Sequence, residues 1–253
     1  QNLPATIYLL RAMTKKKRIL KAREPVEAKP ASPESVASDQ GRVKKRKRQK
    51  AADKPGFQPA EADANQAQAP KQSLFQTSAS FSKLGLANWI VQTCTKLGMD
   101  YPTDIQAMCI PDVLAGKNLA GNARTGSGKT ACYSMPILHH LSKDPYGVFA
   151  LILVPVRELA FQVTENFRAM GQAINVKVGE IVGGRDFSIQ SQMIADRTHV
   201  IVATPGRLAD LLRGDFALAK AFRKLHTLVL DEADQLLTET FEEPLGQILE
   251  LLP

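Results

Sequence analysis

From Ser73 onward, short apolar runs alternate with stretches of helical periodicity, and this alternation admits few folds. The runs Asn118 to Ala123, Ala150 to Val154, Val176 to Val182, His199 to Ala203 and Leu225 to Leu230 are expected strands. Between them lie expected helices at Gly128 to Leu141, Arg157 to about Met170, about Phe187 to Ala195, and Gly206 to Leu212. Upstream, Leu86, Ile90, Cys94 and Leu97 recur at helical spacing in a segment that ends near Gly98. Strands separated by helices pair in parallel and carry helices on both faces. The expected fold class is α/β, a mostly parallel sheet flanked by helices. Ligands of such sheets bind beyond the carboxyl ends of the strands, where the residues of interest below are found. Pro136 removes one backbone bond from its helix and predicts a bend there.

Charge divides the 253 residues in two. Residues 1–72 carry 17 Lys and Arg against 7 Asp and Glu, whereas residues 73–253 carry 16 against 18. The net charge of +8 therefore belongs to the first segment, and the near-neutral remainder must grip any nucleic acid by placed donors rather than by a broad positive field. Residues 1–72 are rich in Ala, Lys, Pro, Gln and Glu and poor in aromatics, so they are expected to form a disordered basic tail. Within it, Lys44-Lys45-Arg46-Lys47-Arg48-Gln49-Lys50 fits a nuclear-import signal or a nucleic-acid tether, with a solvated charge run as the plain alternative. Met13, followed by Lys15-Lys16-Lys17-Arg18, looks more like a natural beginning, which leaves residues 1–12 open to being either native or a non-native or mis-annotated addition.

Cys94, Cys109 and Cys132 are odd in number and lack CxxC spacing, so neither a disulfide framework nor a zinc site is expected. His139-His140 has no partner at metal-ligand spacing. The apolar runs fall far short of the roughly 20 residues of a membrane span.

Ala123-Arg124-Thr125-Gly126-Ser127-Gly128-Lys129-Thr130 stands between an expected strand and an expected helix, the setting a phosphate loop requires. Glycines let backbone N–H groups turn onto phosphates, and the helix N-terminus adds partial positive charge. Lys129 is suited to the β and γ phosphates and the Thr130 hydroxyl to Mg²⁺, with Ala123 standing where the strict pattern has its first glycine. About 100 residues on, Asp231-Glu232-Ala233-Asp234 follows an apolar strand. There Asp231 is placed to hold Mg²⁺ through water and Glu232 to orient an attacking water. The plain alternative is an acidic turn at a helix N-terminus.

With these motifs in register, the chain from about Ser80 to Pro253 resembles the N-terminal half of a DEAD-box RNA helicase. Phe81, seventeen residues before Gly98, and the run Gly98 to Gln106 look like that family's adenine-reading motif. The resemblance implies that the Gln106 amide pairs with the adenine edge, that Phe81 packs on the base and that Thr103 belongs to the same nucleotide site. Amide pairing to an adenine edge also has a geometric basis of its own. Pro155-Val156-Arg157-Glu158-Leu159-Ala160, Gly183-Gly184 and Thr204-Pro205-Gly206-Arg207-Leu208 resemble the family's RNA-backbone motifs, each at a strand end and a helix start. This implies RNA contacts by Pro155, Arg157, Gly183, Gly184, Thr204, Pro205, Gly206 and Arg207. Where the family usually has Thr, this chain has Val156, which removes one hydroxyl contact. Taken without the resemblance, Arg157 reads equally as a surface salt bridge and Pro205-Gly206 as a turn.

What the resemblance implies is a RecA-like phosphate-loop domain over residues 73–253, with ATP and Mg²⁺ as cofactors. Lys129, Asp231 and Glu232 would carry the chemistry, and Asp234 would couple motifs. RNA is the implied partner, with pre-ribosomal particles or a regulatory protein beside it, and the chain is expected to be a monomer of the nucleus, in the nucleolus, with the cytoplasm as the alternative. No Ser-Ala-Thr triplet occurs before Pro253 and a second RecA-like domain is absent, so the domain is expected to be C-terminally incomplete. Arginine fingers supplied from elsewhere are worth about 10³ to 10⁵ in related phosphoryl transfer, so this chain alone is expected to hydrolyse ATP barely or not at all. The alternative is a non-catalytic RNA- or protein-binding module on the same fold. A transporter-type ATPase would need an LSGGQ-like signature, which the sequence lacks.

Overall fold

The computed structural model describes residues 5–11 and 80–252. These fall within one of the two compact units into which the chain divides; the other, residues 20–72, lies outside the described residues. The basic cluster Lys44 to Lys50, and the expected disorder of the tail apart from one segment, lie outside them too.

Six strands form one sheet: β1 (Ala5–Arg11), β2 (Leu119–Ala123), β3 (Ala150–Leu153), β4 (Val178–Ile181), β5 (Val200–Ala203) and β6 (Thr227–Leu230), in the order β2-β1-β6-β3-β5-β4. The pairs β3/β5, β3/β6 and β4/β5 are parallel. Strand β1 is antiparallel to both its neighbours, with Tyr8 opposite Ala120 on one side and Leu230 on the other. Because β1 opposes both, β2 and β6 run in the same sense and deliver their carboxyl ends to the same edge.

Strand β1 corrects the expectation that residues 1–72 are disordered throughout, since residues 5–11 are in the sheet. Averaged over 72 residues the composition is too polar for a core, but the average hides the local run Thr6 to Leu10, rich in β-branched, aromatic and aliphatic residues. A slot between two strands also presents unpaired backbone groups on both sides, and an extended segment satisfies both rows at once.

Strand alternation divides the core into two layers. Ile152, Val200, Val202 and Val229 face one side, while Leu151, Leu153, Ile201, Leu228 and Leu230 face the other. Helices α1 (Asn88–Lys96), α2 (Asp104–Leu114), α3 (Lys129–Leu141) and α4 (Arg157–Gly171) cover the first layer. Helices α5 (Phe187–Ala195), α6 (Pro205–Gly214), α7 (Phe216–Ala219), α8 (Ala233–Leu236) and α9 (Glu239–Leu251) cover the second. Burial on both faces is why these strands read as continuous apolar runs rather than alternating ones.

The expected strands and helices are present, within a few residues at their ends. Helix α3 runs on through Pro136. Among the helices additional to the expected ones, α2 and α9 each run through an internal proline, Pro111 and Pro244. The start of α2 is fixed by a capping box, in which Thr103 and Gln106 each satisfy the other's backbone N–H. No helix among the described residues is long and apolar enough to cross a membrane.

Candidate functional site

Strand β2 ends at Ala123 and the chain turns through Arg124, Thr125 and Gly126 into α3, with Gly126 at φ 79° and Gly128 at φ 86°. Gly128 has a second reason to be glycine: a Cβ there would run into the Gln106 amide. Lys129 is only 8% exposed, and its ammonium donates to the carbonyls of Ala123 at 2.6 Å and Arg124 at 2.9 Å. The loop is thus closed around its own lysine. The Ser127 hydroxyl is buried with no hydrogen-bond partner among the described residues.

Helix α2 braces this loop from the side. The Thr103 hydroxyl donates to the Ser127 carbonyl at 2.9 Å, and the Gln106 amide donates to the Gly128 carbonyl at 3.2 Å. The other end of that amide accepts from the Thr103 N–H at 3.0 Å. Thr103, Gln106 and the loop, drawn from separate motifs, therefore form one unit. Phe81 is placed differently: it is sealed at 2% exposure in the core layer rather than presenting its ring to solvent beside Gln106.

Asp231 stands at the end of β6, 3% exposed. Its Oδ2 accepts from the Tyr133 hydroxyl at 2.7 Å and its Oδ1 from the Glu232 N–H at 3.0 Å. Burial pushes the Asp231 carboxyl above the usual carboxylate range, against the opposing pull of Tyr133, the Glu232 amide and the Lys129 ammonium. Glu232 is raised as well, by burial first and then by the charges of Asp231 and Asp234. Its backbone is left-handed at φ 51°, a conformation that costs a non-glycine residue energy and is common at functional turns. The Glu232 side chain accepts from Gln235 at 2.6 Å. Tyr133 carried no signal in the sequence, where it reads as one more apolar position of α3.

These residues suit a magnesium nucleotide. A buried cation closes on backbone carbonyls, a buried hydroxyl has no partner, and a buried carboxylate stands at the same sheet edge. Each could exchange an internal contact, or gain a missing one, when phosphate oxygens and their ion enter.

Farther along the edge, an open cleft of about 600 Å³ is lined by Pro155, Val156, Arg157, Glu158, Gly183, Thr204, Gly206, Arg207 and Asp210. It brings together six of the eight residues expected to touch RNA. Gly184 adjoins them, since a Cβ there would meet the Arg157 guanidinium at 2.6 Å. Pro205 is buried at the first position of α6 and sets the helix start instead of facing the cleft. Helices α4 and α6 begin at this cleft, so their N–H groups and partial positive charge face it. Arg207 donates to the Arg185 carbonyl at 2.7 Å and to Gln190 at 3.3 Å, and lies over the Phe187 ring at 4.8 Å. Arg185, Phe187 and Gln190 thus orient it, roles with no motif to announce them.

A mostly parallel sheet with a glycine loop running into a helix, and an acidic turn at a strand end on the same edge, defines the class of phosphate-loop α/β proteins of RecA-like type. Within that class the DEAD/DEAH box helicase family matches residues 103–253, and the chain belongs to that family. It is similar to DEAD-box ATP-dependent RNA helicase 36 of Arabidopsis thaliana, 47% identical over 73% of this chain and 38% of the relative. It is also similar to the probable ATP-dependent RNA helicase ddx49 of Dictyostelium discoideum, 50% identical over 69% of this chain and 34% of the relative. Among solved structures, a DEAD box protein from the hyperthermophile Methanococcus jannaschii superposes with a TM-score of 0.59 at 30% identity, covering 69% of this chain and 47% of that one. The chain thus spans little more than a third of the curated relatives named here.

Proposed function

We propose that this chain is the ATP-binding part of an ATP-dependent RNA helicase that couples ATP binding and hydrolysis to local unwinding of RNA duplexes. The observation that carries the reading is the pairing of a closed loop around buried Lys129 with buried Asp231 at one sheet edge. Lys129 exchanges its two carbonyl partners for phosphate oxygens, and the Ser127 hydroxyl finds a partner there. Thr130 and Asp231 would hold Mg²⁺, which would supply positive charge against the phosphates. Glu232, raised by its surroundings, orients and accepts a proton from the attacking water. Gln106 selects adenine with the amide that now braces Gly128.

RNA lies along the cleft between the starts of α4 and α6, bound through its backbone by Arg157, Thr204, Arg207 and helix N–H groups. Glu158 and Asp210 in the same cleft oppose unselective anion binding. The basic cluster Lys44 to Lys50 supports a nuclear and nucleolar protein acting in ribosomal RNA processing, with pre-ribosomal particles as partners.

The test is thermal protection. MgATP should raise the melting temperature of the chain, and Lys129→Ala should abolish the rise, because a ligand stabilises only the fold that binds it. Equal protection in both would refute the site. RNA-stimulated ATPase activity, measured beside a longer form carrying the remaining two thirds of the relatives' length, tests the helicase reading itself.

A further inference from the structure

We infer that Tyr133 is a positioning residue for the magnesium-holding carboxylate, its hydroxyl fixing which face of Asp231 is left for the ion. The inference rests on the reading of Asp231 as a metal ligand. Tyr133 lies one turn after Lys129 and Thr130 on α3, so the helix that presents the phosphate loop also reaches the acidic turn. Its hydroxyl donates to Asp231 Oδ2 at 2.7 Å while the Glu232 N–H donates to Oδ1 at 3.0 Å. One donor on each oxygen sets the plane of the carboxylate and occupies one direction of approach at each.

The hydroxyl has a single proton, and here it is spent on Asp231. The ring is 1% exposed and tilted against Phe167 of α4, with centroids 6.2 Å apart, so it cannot swing away. A phenylalanine ring would fill the same space. What the hydroxyl adds is therefore polar, its proton going to Asp231 with Thr130 alongside, and not packing. Partners of a ligating carboxylate typically govern metal affinity by about 10-fold to 100-fold.

The experiment titrates a fluorescent ATP analogue onto the 253-residue chain in excess Mg²⁺ and in EDTA, for the wild type, Tyr133→Phe, Asp231→Asn and the double variant. Tyr133→Phe should keep its affinity in EDTA and lose about tenfold of the tightening that Mg²⁺ brings. That loss should vanish in the Asp231→Asn background, an outcome that a general loosening of the core would not produce. If Tyr133→Phe melts early, the titrations are made at a temperature where every variant is folded. An equal Mg²⁺ effect in wild type and Tyr133→Phe overturns the inference and leaves the site standing. Absence of any Mg²⁺ effect in the wild type, or its persistence in Asp231→Asn, overturns the site and the inference together.

Discussion

The side-chain amide of Gln106 donates to the carbonyl of Gly128 at 3.2 Å, tying the start of α2 to the phosphate loop. The same amide accepts from Thr103 N–H at 3.0 Å, and Gln106 is 4% exposed. Replacing it by alanine leaves the part-buried Thr103 N–H without this partner, while the Gly128 carbonyl loses one donor but keeps the Ala131 N–H. Since an unsatisfied buried group costs about 1–3 kcal/mol, Gln106→Ala should lower stability by about 1 kcal/mol in urea unfolding. A loss below about 0.5 kcal/mol, the range of an ordinary surface substitution, would mean that the brace is not formed.

Asp231 and Glu232 make stability depend on pH in a definite direction. A carboxyl whose folded-state pKa is raised holds its proton more tightly folded than unfolded. Stability therefore falls as pH rises from the ordinary carboxylate value of about 4 through the raised value, and is fully penalised above it. Asp231→Asn keeps an acceptor for Tyr133 and removes the buried charge, at the cost of the bond from the Glu232 N–H. It should be more stable than wild type at pH 7, with the advantage shrinking as pH falls toward 4. Urea midpoints at several pH values check this, and an advantage that grew on acidification would contradict it.

Val156 is the N-cap of α4, its side chain makes no capping bond, and it lies 46% exposed in the cleft. A threonine there would accept from the helix's first N–H groups. Val156→Thr should stabilise the chain by about 1 kcal/mol and tighten binding of a short single-stranded RNA. Thermal melts and fluorescence anisotropy measure the two effects separately, and a gain in neither would count against the cleft's assignment.

Strand β1 is paired along both edges, to β2 and to β6. Removing residues 1–19 should cost more than about 3 kcal/mol, since each backbone group left unpaired inside the sheet costs about 1–3 kcal/mol, and should promote association through the bared strand edges. Removing residues 20–72 instead should leave the melting temperature nearly unchanged. That second deletion should still abolish most salt-sensitive RNA affinity, because residues 73–253 carry 16 basic against 18 acidic side chains. The reverse pattern of stabilities would show that β1 contributes nothing to the sheet.

Five of the six strands and the helices between them, the phosphate loop and the acidic turn were legible in the sequence because each is a local property: a run of apolar residues, a glycine spacing, a charge after a strand. Lys129 and Asp231 could be named from those signals alone, and Gln106 from the family resemblance. What the tertiary structure decided is which of them meet and by what contacts. Tyr133 lies 98 positions from Asp231, and its role depends on α3 passing over the end of β6. Arg207 is oriented by Gln190 and Arg185, which belong to no motif and are brought near only because β4 and β5 are adjacent. Phe81 is in the core, and Ala5–Arg11 is in the sheet, for the same reason. Burial and strand pairing are settled by distant parts of the chain competing for one space, and neither local composition nor spacing records the outcome.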